Sequence, residues 1–401
     1  MTTKASSIQQ PLPCPGDAPS KARTRRFANK AFKICIFVHL YIGYSLLPDL
    51  PIGTAGLITA TLLIALSSIL VPYGTMARRF INNPKIVDLM VWLGSILMGG
   101  VSTLLILTII RDLVFFVPAL EAWRSESAVT VLTVTLLITA IGFINARRTA
   151  KVRHVNIRIK KLPKPLTGFS IAQITDIHVG STIKGGYVQA IVNRVNGLNA
   201  DLIAITGDVV DGTVERLKQH TSCLAELTAT HGCYLVTGNH EYYSGAEEWI
   251  TEFQRLGIIP LLNEHIVVDH KGGQLIVAGV NDYSATNRDP SETSAKLHGS
   301  DPLKALNGCP DKAPKVLLAH QPRSVAQAAK AGFDLQISGH THGGQFWPWN
   351  FFVRLQQPYT AGLHQHGKLW LYISRGTGYW GPPKRFGVPS EITLIRLWPV
   401  E

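Results

Sequence analysis

The sequence predicts an α/β protein in two parts: an N-terminal region of four transmembrane helices, then a layered α/β domain of two packed β-sheets flanked by helices. Three observations carry this prediction. Four uncharged apolar runs of about 15–22 residues fill most of the first 150 positions, a length that suits a hydrocarbon core of about 30 Å. From Gly168 onward, short apolar strand-like runs alternate with amphipathic helical stretches, the pattern of a layered α/β architecture. Nearly every polar cluster in that second part falls just after a strand-like run, where α/β folds bind ligands.

Composition agrees with the division. The 401 residues are 46% hydrophobic and 16% charged, with a net charge of +13, too apolar for an ordinary soluble domain. The first 155 residues carry 16 Lys and Arg against 6 Asp and Glu, the remainder 23 against 20. The basic surplus therefore belongs to the N-terminal part. It flanks apolar runs instead of interleaving with aromatics, so a nucleic-acid polymer is not an expected partner. Five scattered cysteines (Cys14, Cys35, Cys223, Cys233, Cys309) form no CxxC pair, which argues against a zinc ribbon or disulfide framework.

Taken in order, residues 1–30 read as a disordered basic tail, Pro- and Ser-rich up to position 20. The transmembrane region, 31–147, holds apolar runs at 34–48, 54–74, 89–110 and 127–146. His39 and Asp88 read as groups near span ends, in snorkelling or interfacial positions. Lys21, Arg23, Arg25, Arg26, Lys30 and Lys33 precede the first run; Arg78, Arg79 and Lys85 separate the second and third; Arg147, Arg148, Lys151 and Arg153 follow the fourth. The other two loops carry no basic surplus. Basic loops stay on the cytoplasmic side. A multi-pass protein of the inner (cell) membrane is expected, with both termini and the C-terminal domain in the cytoplasm. The stretch 24–30 partly resembles a twin-arginine export signal, but no small-residue cleavage site precedes the next span, which favours a basic anchor.

Residues 148–167 read as a linker and edge strand, because VNIRIKKLP alternates with period two. In the domain, 168–401, strand-like runs lead to Asp176, Asp208, Asn239, Asn281, His320, His340 and Arg375, with helices expected around 187–198, 214–229, 246–256 and 324–331.

Seven candidate metal ligands stand at these strand ends, in DIH (176–178), GDVVD (207–211), GNHE (238–241), His320 and GHTH (339–342). Asp176 and His178 are two apart, as are His340 and His342; in an extended segment such a pair projects to one side and reaches one ion. Gly207 and Gly238 allow sharp turns before Asp208 and Asn239. The Asp208 carboxylate has two oxygens with which to bridge two cations, and Asn239 offers a neutral amide oxygen. Imidazole and oxygen without thiolate suit two divalent metal ions (Mn, Fe or Zn).

With these motifs the chain resembles the calcineurin-like metallophosphoesterase superfamily, whose pattern DxH, GDxxD, GNHE, H, GHxH it carries at every ligand position, over about residues 168–396. GNHEYY, GHTHGGQ and SRGTG are similar to its membrane-anchored and exported bacterial phosphodiesterase branch. The resemblance implies one metal on Asp176, His178, Asp208 and His342, and another on Asp208, Asn239, His320 and His340. It implies an activated water attacking phosphorus in line. His240 would protonate the leaving oxygen or steady the transition state, and Asp211 and Glu241 would either orient histidines or serve a simple turn or capping role. Arg375 and Arg385 are expected at the substrate phosphate, where Arg suits bidentate contact. Trp347, Trp349, Phe351 and Phe352, after the GHTH loop, read as core packing or as aromatic contact with lipid.

The expected activity is metal-dependent hydrolysis of a phosphodiester or pyrophosphate at the membrane surface. Family relatives make a lipid-linked substrate such as UDP-diacylglucosamine a named candidate. Two other readings stay open: a broad phosphomonoesterase or nucleotide phosphodiesterase, and a non-catalytic membrane scaffold or sensor. The presence of His240 counts against the scaffold, which needs no leaving-group acid.

Overall fold

A computed structural model describes residues 21–287 and 299–400; the tail expected up to position 20 lies outside the described residues. Four helices come first: α1 (Lys21–Leu46), α2 (Thr54–Met76), α3 (Pro84–Val114) and α4 (Arg124–Arg147). Each run contains a segment long and apolar enough to cross a membrane. Helix α1 starts inside the stretch read as basic tail. KARTRRFANK lacks Gly and Pro and is rich in helix-favouring Ala, Lys and Arg. Helix α3 begins where the Asn83 side chain accepts from the Lys85 backbone N–H at 3.0 Å, with Pro84 at the first helical position.

Close packing in this bundle relies on small residues. A Cβ on Gly94 of α3 would lie 2.8 Å from the Gly74 Cα and 2.9 Å from the Leu70 carbonyl of α2, so the two backbones touch. His39 does not snorkel: it is 4% exposed, and its Nε2 lies 2.9 Å from Ser67 Oγ on α2. It lies in mid-helix, and a polar group there finds its partner across the helix pair. At the loop end without basic surplus, buried Arg111 ties α3 to Asp49, to Ser127 Oγ at 2.8 Å and to the Arg124 carbonyl at 3.1 Å.

The second part runs β1 (Lys151–Ile159), β2 (Ser170–Ile174), α5 (Gly185–Asn196), β3 (Leu202–Thr206), α6 (Val214–Thr221), β4 (Cys233–Val236), α7 (Asn239–Ser244), α8 (Ala246–Arg255), β5 (Ile259–Pro260), β6 (Glu264–His270), β7 (Gly273–Gly279), β8 (Lys315–Leu318), α9 (Val325–Ala331), β9 (Leu335–Ser338), α10 (Trp349–Phe352), β10 (Gly362–His366), β11 (Leu369–Ile373) and β12 (Glu391–Pro399). One sheet has the order β1-β12-β2-β3-β4-β5, the other β10-β11-β9-β8-β7-β6. Strands β2 to β5 are parallel, as are β11, β9, β8 and β7; β1 pairs parallel with β12 at the edge.

Period-two alternation builds the layers. Ile171, Leu202, Ala204, Val316, Leu318, Leu335 and Ile337 meet between the sheets. Ala172, Ile174, Ile203 and Ile205 face outward against α5 and α8, through Val188, Ile191, Trp249 and Phe253. Leu317 and Ala319 face α9 through Val325 and Ala328. Central strands covered on both faces read as unbroken apolar runs. The helix expected to 229 ends at Thr221, where a short 3₁₀ turn, Ser222–Glu226, takes over.

The domain docks on the basic ends of the helices. Asp88 of α3 receives Lys184 at 2.8 Å and Arg216 at 2.9 Å. Arg147 of α4 donates to the Thr182 carbonyl and Tyr379 hydroxyl, both at 3.0 Å. Gly94→Ile forces α2 and α3 apart. Overpacking of this kind costs about 1–3 kcal/mol, so the expected outcome is a lower melting temperature in detergent micelles, read by differential scanning fluorimetry.

Candidate metal centre

Parallel neighbours in each sheet bring their carboxyl ends to one edge of the sandwich. From there β2 delivers Asp176 and His178, β3 delivers Asp208, β4 leads to Asn239 at the start of α7, β8 delivers His320, and β9 delivers His340 and His342. Three overlapping sets result: Asp176, His178 and His342; His178, Asp208 and His240; Asp208, His320 and His340. Within each, the ligand atoms lie within 4.8 Å of one another. His178 Nε2 is 3.0 Å from His342 Nε2. His320 Nε2 is 3.1 Å from Asp208 Oδ2 and 3.2 Å from His340 Nδ1.

The convergence does not come from an extended backbone. Asp176, His178, Asp208, His340 and His342 have φ of 53°, 55°, 53°, 71° and 49°. This left-handed region suits glycine and is sparsely used by other residues, though Asp and His tolerate it best among them. Each such residue costs of order 1–3 kcal/mol and persists where the surroundings enforce it. The enforcement is visible. The Asp176 and His178 amides donate to the carbonyls of Gly207 and Asp208 at 3.0 and 3.1 Å, locking one loop onto the next. Gly207 (φ 84°) sits where a Cβ would come within 2.7 Å of His320 Nδ1.

These residues fit divalent cations. Asn239 Oδ1 is buried without a hydrogen-bond partner among the described residues, and a buried amide oxygen left unpaired is costly. Two pairs of imidazole nitrogens face each other at 3.0 and 3.2 Å, which a shared cation accommodates. Burial holds His340 down at about 3, aided by the neighbouring His320 charge. Burial and the Arg385 guanidinium hold His342 well below its ordinary value. Both rings therefore present neutral lone pairs, the form that binds metal. Burial opposes ionisation of Asp208, but the charge and hydrogen bond of His320 together with the His240 and His178 charges outweigh it and keep the carboxylate well below the usual range. Burial opposes the charge on His240 as well; its hydrogen bond with Asp211 and the Asp208, Asp211 and Glu241 charges win and push it up to about 9.

Around this set, Asp211 Oδ1 lies 3.1 Å from His178 Nδ1 and 2.6 Å from His240 Nδ1. The His320 Nδ1 bonds the Thr206 carbonyl at 2.8 Å, which leaves Nε2 for the site. Among the described residues Glu241 hydrogen-bonds no histidine and takes the capping role. Its carboxylate instead accepts the backbone N–H groups of Asp208, Val209, Val210 and Gly238, at 2.7–3.3 Å. It can do so because α7 turns its first residues back over the β3 loop.

Arg385 corrects the expectation of substrate contact. It is 1% exposed, and its terminal nitrogens donate to the carbonyls of His342, Arg375 and Gly378 and to His342 Nδ1. It braces the GHTH loop. Arg375 lies 3.7 Å from Glu391 and keeps 30% of its side chain exposed. Sequence reasoning missed Lys384 and Trp380. Lys384 is 2% exposed and reaches into the helix bundle, donating to the Gly99 carbonyl at 2.8 Å and to the hydroxyls of Thr103 and Thr139. Burial pushes its ammonium down to about 8. Trp380 lies edge-on to His240 with centroids 5.8 Å apart. The one available signal was the PPKRFG string, where two prolines fix a turn around adjacent cations.

The calcineurin-like phosphoesterase family model matches residues 169–344. A transmembrane protein with metallophosphoesterase domain from Danio rerio is 37% identical over 287 residues, 70% of this chain and 64% of the relative. A Helicobacter pylori uncharacterized metallophosphoesterase is 39% identical over 260 residues, 64% of this chain and 66% of the relative. An Aquifex aeolicus uncharacterized metallophosphoesterase is 30% identical over 250 residues, 62% of this chain and 91% of the relative. The chain thus spans just under two thirds of the first two relatives.

Asp211→Asn removes the charge that holds His178 and His240. Loss of such a partner typically weakens metal affinity about 10–100-fold. That drop is expected in a calorimetric titration of Mn²⁺ into metal-stripped protein; an unchanged affinity shows that Asp211 does not position the site.

Proposed function

We propose that this chain, which belongs to the calcineurin-like metallophosphoesterase family, hydrolyses a phosphodiester or pyrophosphate at the membrane surface, with a lipid-linked ester such as UDP-diacylglucosamine as the candidate substrate. It is a metal-dependent phosphoric ester hydrolase. The observation that carries the dinuclear hydrolase reading is the sharing of Asp208 between two of the three ligand sets.

On this reading Asp176, His178, Asp208 and His342 hold one divalent cation, and Asp208, Asn239, His320 and His340 hold the other. Cations bound there supply Lewis acidity toward phosphoryl oxygens and a water of low pKa. The remaining work falls to the chain. Asp176, buried without exposure, anchors the His340 backbone N–H at 3.0 Å and so fixes the GHTH loop. Asp211 Oδ1, 2.6 Å from His240 Nδ1, orients that ring, so His240 is suited to donate a proton to a leaving oxygen. Its side chain keeps 16% exposure, enough to face an incoming ester. Arg375 is the arginine with a free face for a phosphoryl oxygen.

We place the domain in the cytoplasm. Support comes from docking: the domain sits at the bundle end that carries Arg78 and Arg147, and basic loops stay inside.

Asp208→Asn is expected to lower Mn²⁺-dependent turnover of bis-p-nitrophenyl phosphate about 10²-fold or more, and EDTA to abolish it reversibly. Retained turnover in either case ends the dinuclear reading. A C-terminal alkaline phosphatase fusion is expected to be inactive while a green fluorescent fusion glows; the reverse pattern overturns the topology.

A further inference from the structure

The segment after the GHTH loop is left bare in an unusual place. Phe351, Phe352 and Leu355 are 57%, 47% and 83% exposed, and Trp349 beside them 39%. Core packing therefore does not account for them. Trp349 Nε1 donates to Ser102 Oγ of α3 at 3.4 Å. Ser102 lies fourteen residues beyond Asp88, the point where α3 meets Lys184 and Arg216 of the domain. At about 1.5 Å per residue this is about 21 Å farther along the helix. The apolar segment thus lies beside the MGGVSTLLILT stretch of α3, a helix long and apolar enough to cross a membrane.

The same segment is bonded to the metal centre. Gly344 (φ 81°) closes the GHTHGG string, and a Cβ there would lie 2.3 Å from the Asn350 Cα. Gln345 then takes the Trp380 backbone in both directions, donating to its carbonyl at 2.9 Å and accepting from its N–H at 2.8 Å. Trp380 is 54% exposed and flanks His240. The next residue, Gly381, is close to Met98 of α3, whose Cε would be 3.5 Å from a Cβ there. One side of the centre's rim therefore runs through Trp380 directly onto a membrane span.

We propose that residues 349–355 form an apolar lip whose side chains sit among lipid acyl chains, and that the centre opens toward the bilayer to take an amphiphilic phosphoester whose chain stays in the membrane. The first half stands on exposure and on continuity with α3; the second rests on the hydrolase reading. An exposed apolar patch of this kind marks a partner surface, and beside a helix long and apolar enough to cross a membrane that partner is lipid.

Two measurements separate the halves. In the first, Phe351→p-benzoylphenylalanine is reconstituted in phosphatidylethanolamine–phosphatidylglycerol vesicles and irradiated, with Leu303→p-benzoylphenylalanine, on the exposed domain surface, as control. Lipid adducts at 351 and none at 303 are expected. No adduct at 351, or a crosslink to a second copy of the chain, overturns the lip. In the second, metal-loaded protein in the same vesicles is given methyl or hexadecyl p-nitrophenyl phosphate. The F351S/F352S/L355S variant is expected to lose about tenfold or more on the hexadecyl ester, whose chain needs the apolar lip, and to stay within about twofold on the methyl ester. Equal change on both esters overturns the bilayer-facing entry. Failure of the unmodified protein to cleave either ester overturns the hydrolase reading, and the crosslinking result still decides the lip.

Discussion

Everything at the carboxyl edge of the two sheets answers to one constraint: Asp176, Asp208, Glu241 and Asp282 are buried within a few loops of one another, at 0–2% exposure. Like charges brought out of water cost several kcal/mol each unless matched. The protein offsets two of them itself. His320 sits against Asp208 and is pushed well above its ordinary value, burial notwithstanding. Glu241 is met by four backbone N–H groups. What is left over, an unpaired Asn239 oxygen and inward-facing imidazole nitrogens, is the coordination a divalent cation completes. The left-handed residues follow from the same demand, because only a sharply reversed backbone aims five side chains from parallel strand ends at one volume.

The helix bundle does more than tether this edge. Arg78 donates to the Asp211 carbonyl and to Ser181, so the α2–α3 loop touches the residue that holds His178 and His240. On the other side Lys384 is seated between α3 and α4, while the adjacent Arg385 grips His342 and its loop. Gly142 of α4 accepts the Arg385 backbone N–H at 2.8 Å and, lacking a side chain, leaves room for the Lys384 stem. A single anchoring helix supplies neither contact. Four spans are therefore intelligible as scaffold for the metal centre as well as attachment.

Much of this was legible beforehand, for identifiable reasons. The ligand positions stand out because each follows a short run buried on both faces, and runs of that length ending in glycine and turn residues read as strands. The backbone that converges them was not legible: a spacing of two is shared by an extended pair and by two left-handed residues, and sequence alone favours the commoner form. Glu241 and Arg385 carry the expected residue types, yet their partners are backbone groups of loops distant in sequence. Strand β12 escapes because EITLIRLWP carries a charge at Arg396 and follows a glycine-rich loop; β6 is half-exposed and leads to no candidate site residue. His39 was placed by composition at a span end, although its partner Ser67 is 28 residues away on the next helix.

The bundle contacts also bear on how the chain sets its own geometry. Lys384 is a cation within a helix pair, where the cost of burial falls hardest on an unsolvated charge. Three oxygens offset that cost, and two of them, on Thr103 and Thr139, belong to different helices. The position of Lys384 is therefore defined by the spacing of α3 and α4. Because the next residue is Arg385, and Arg385 is the group hydrogen-bonded to His342 Nδ1 at 3.0 Å, that spacing reaches the metal centre through one peptide bond and one side chain. A lateral change in the helix pair has no flexible linker in which to dissipate along this path. The metal centre and the helix pair are thus joined by direct hydrogen bonds through two adjacent residues, Lys384 and Arg385.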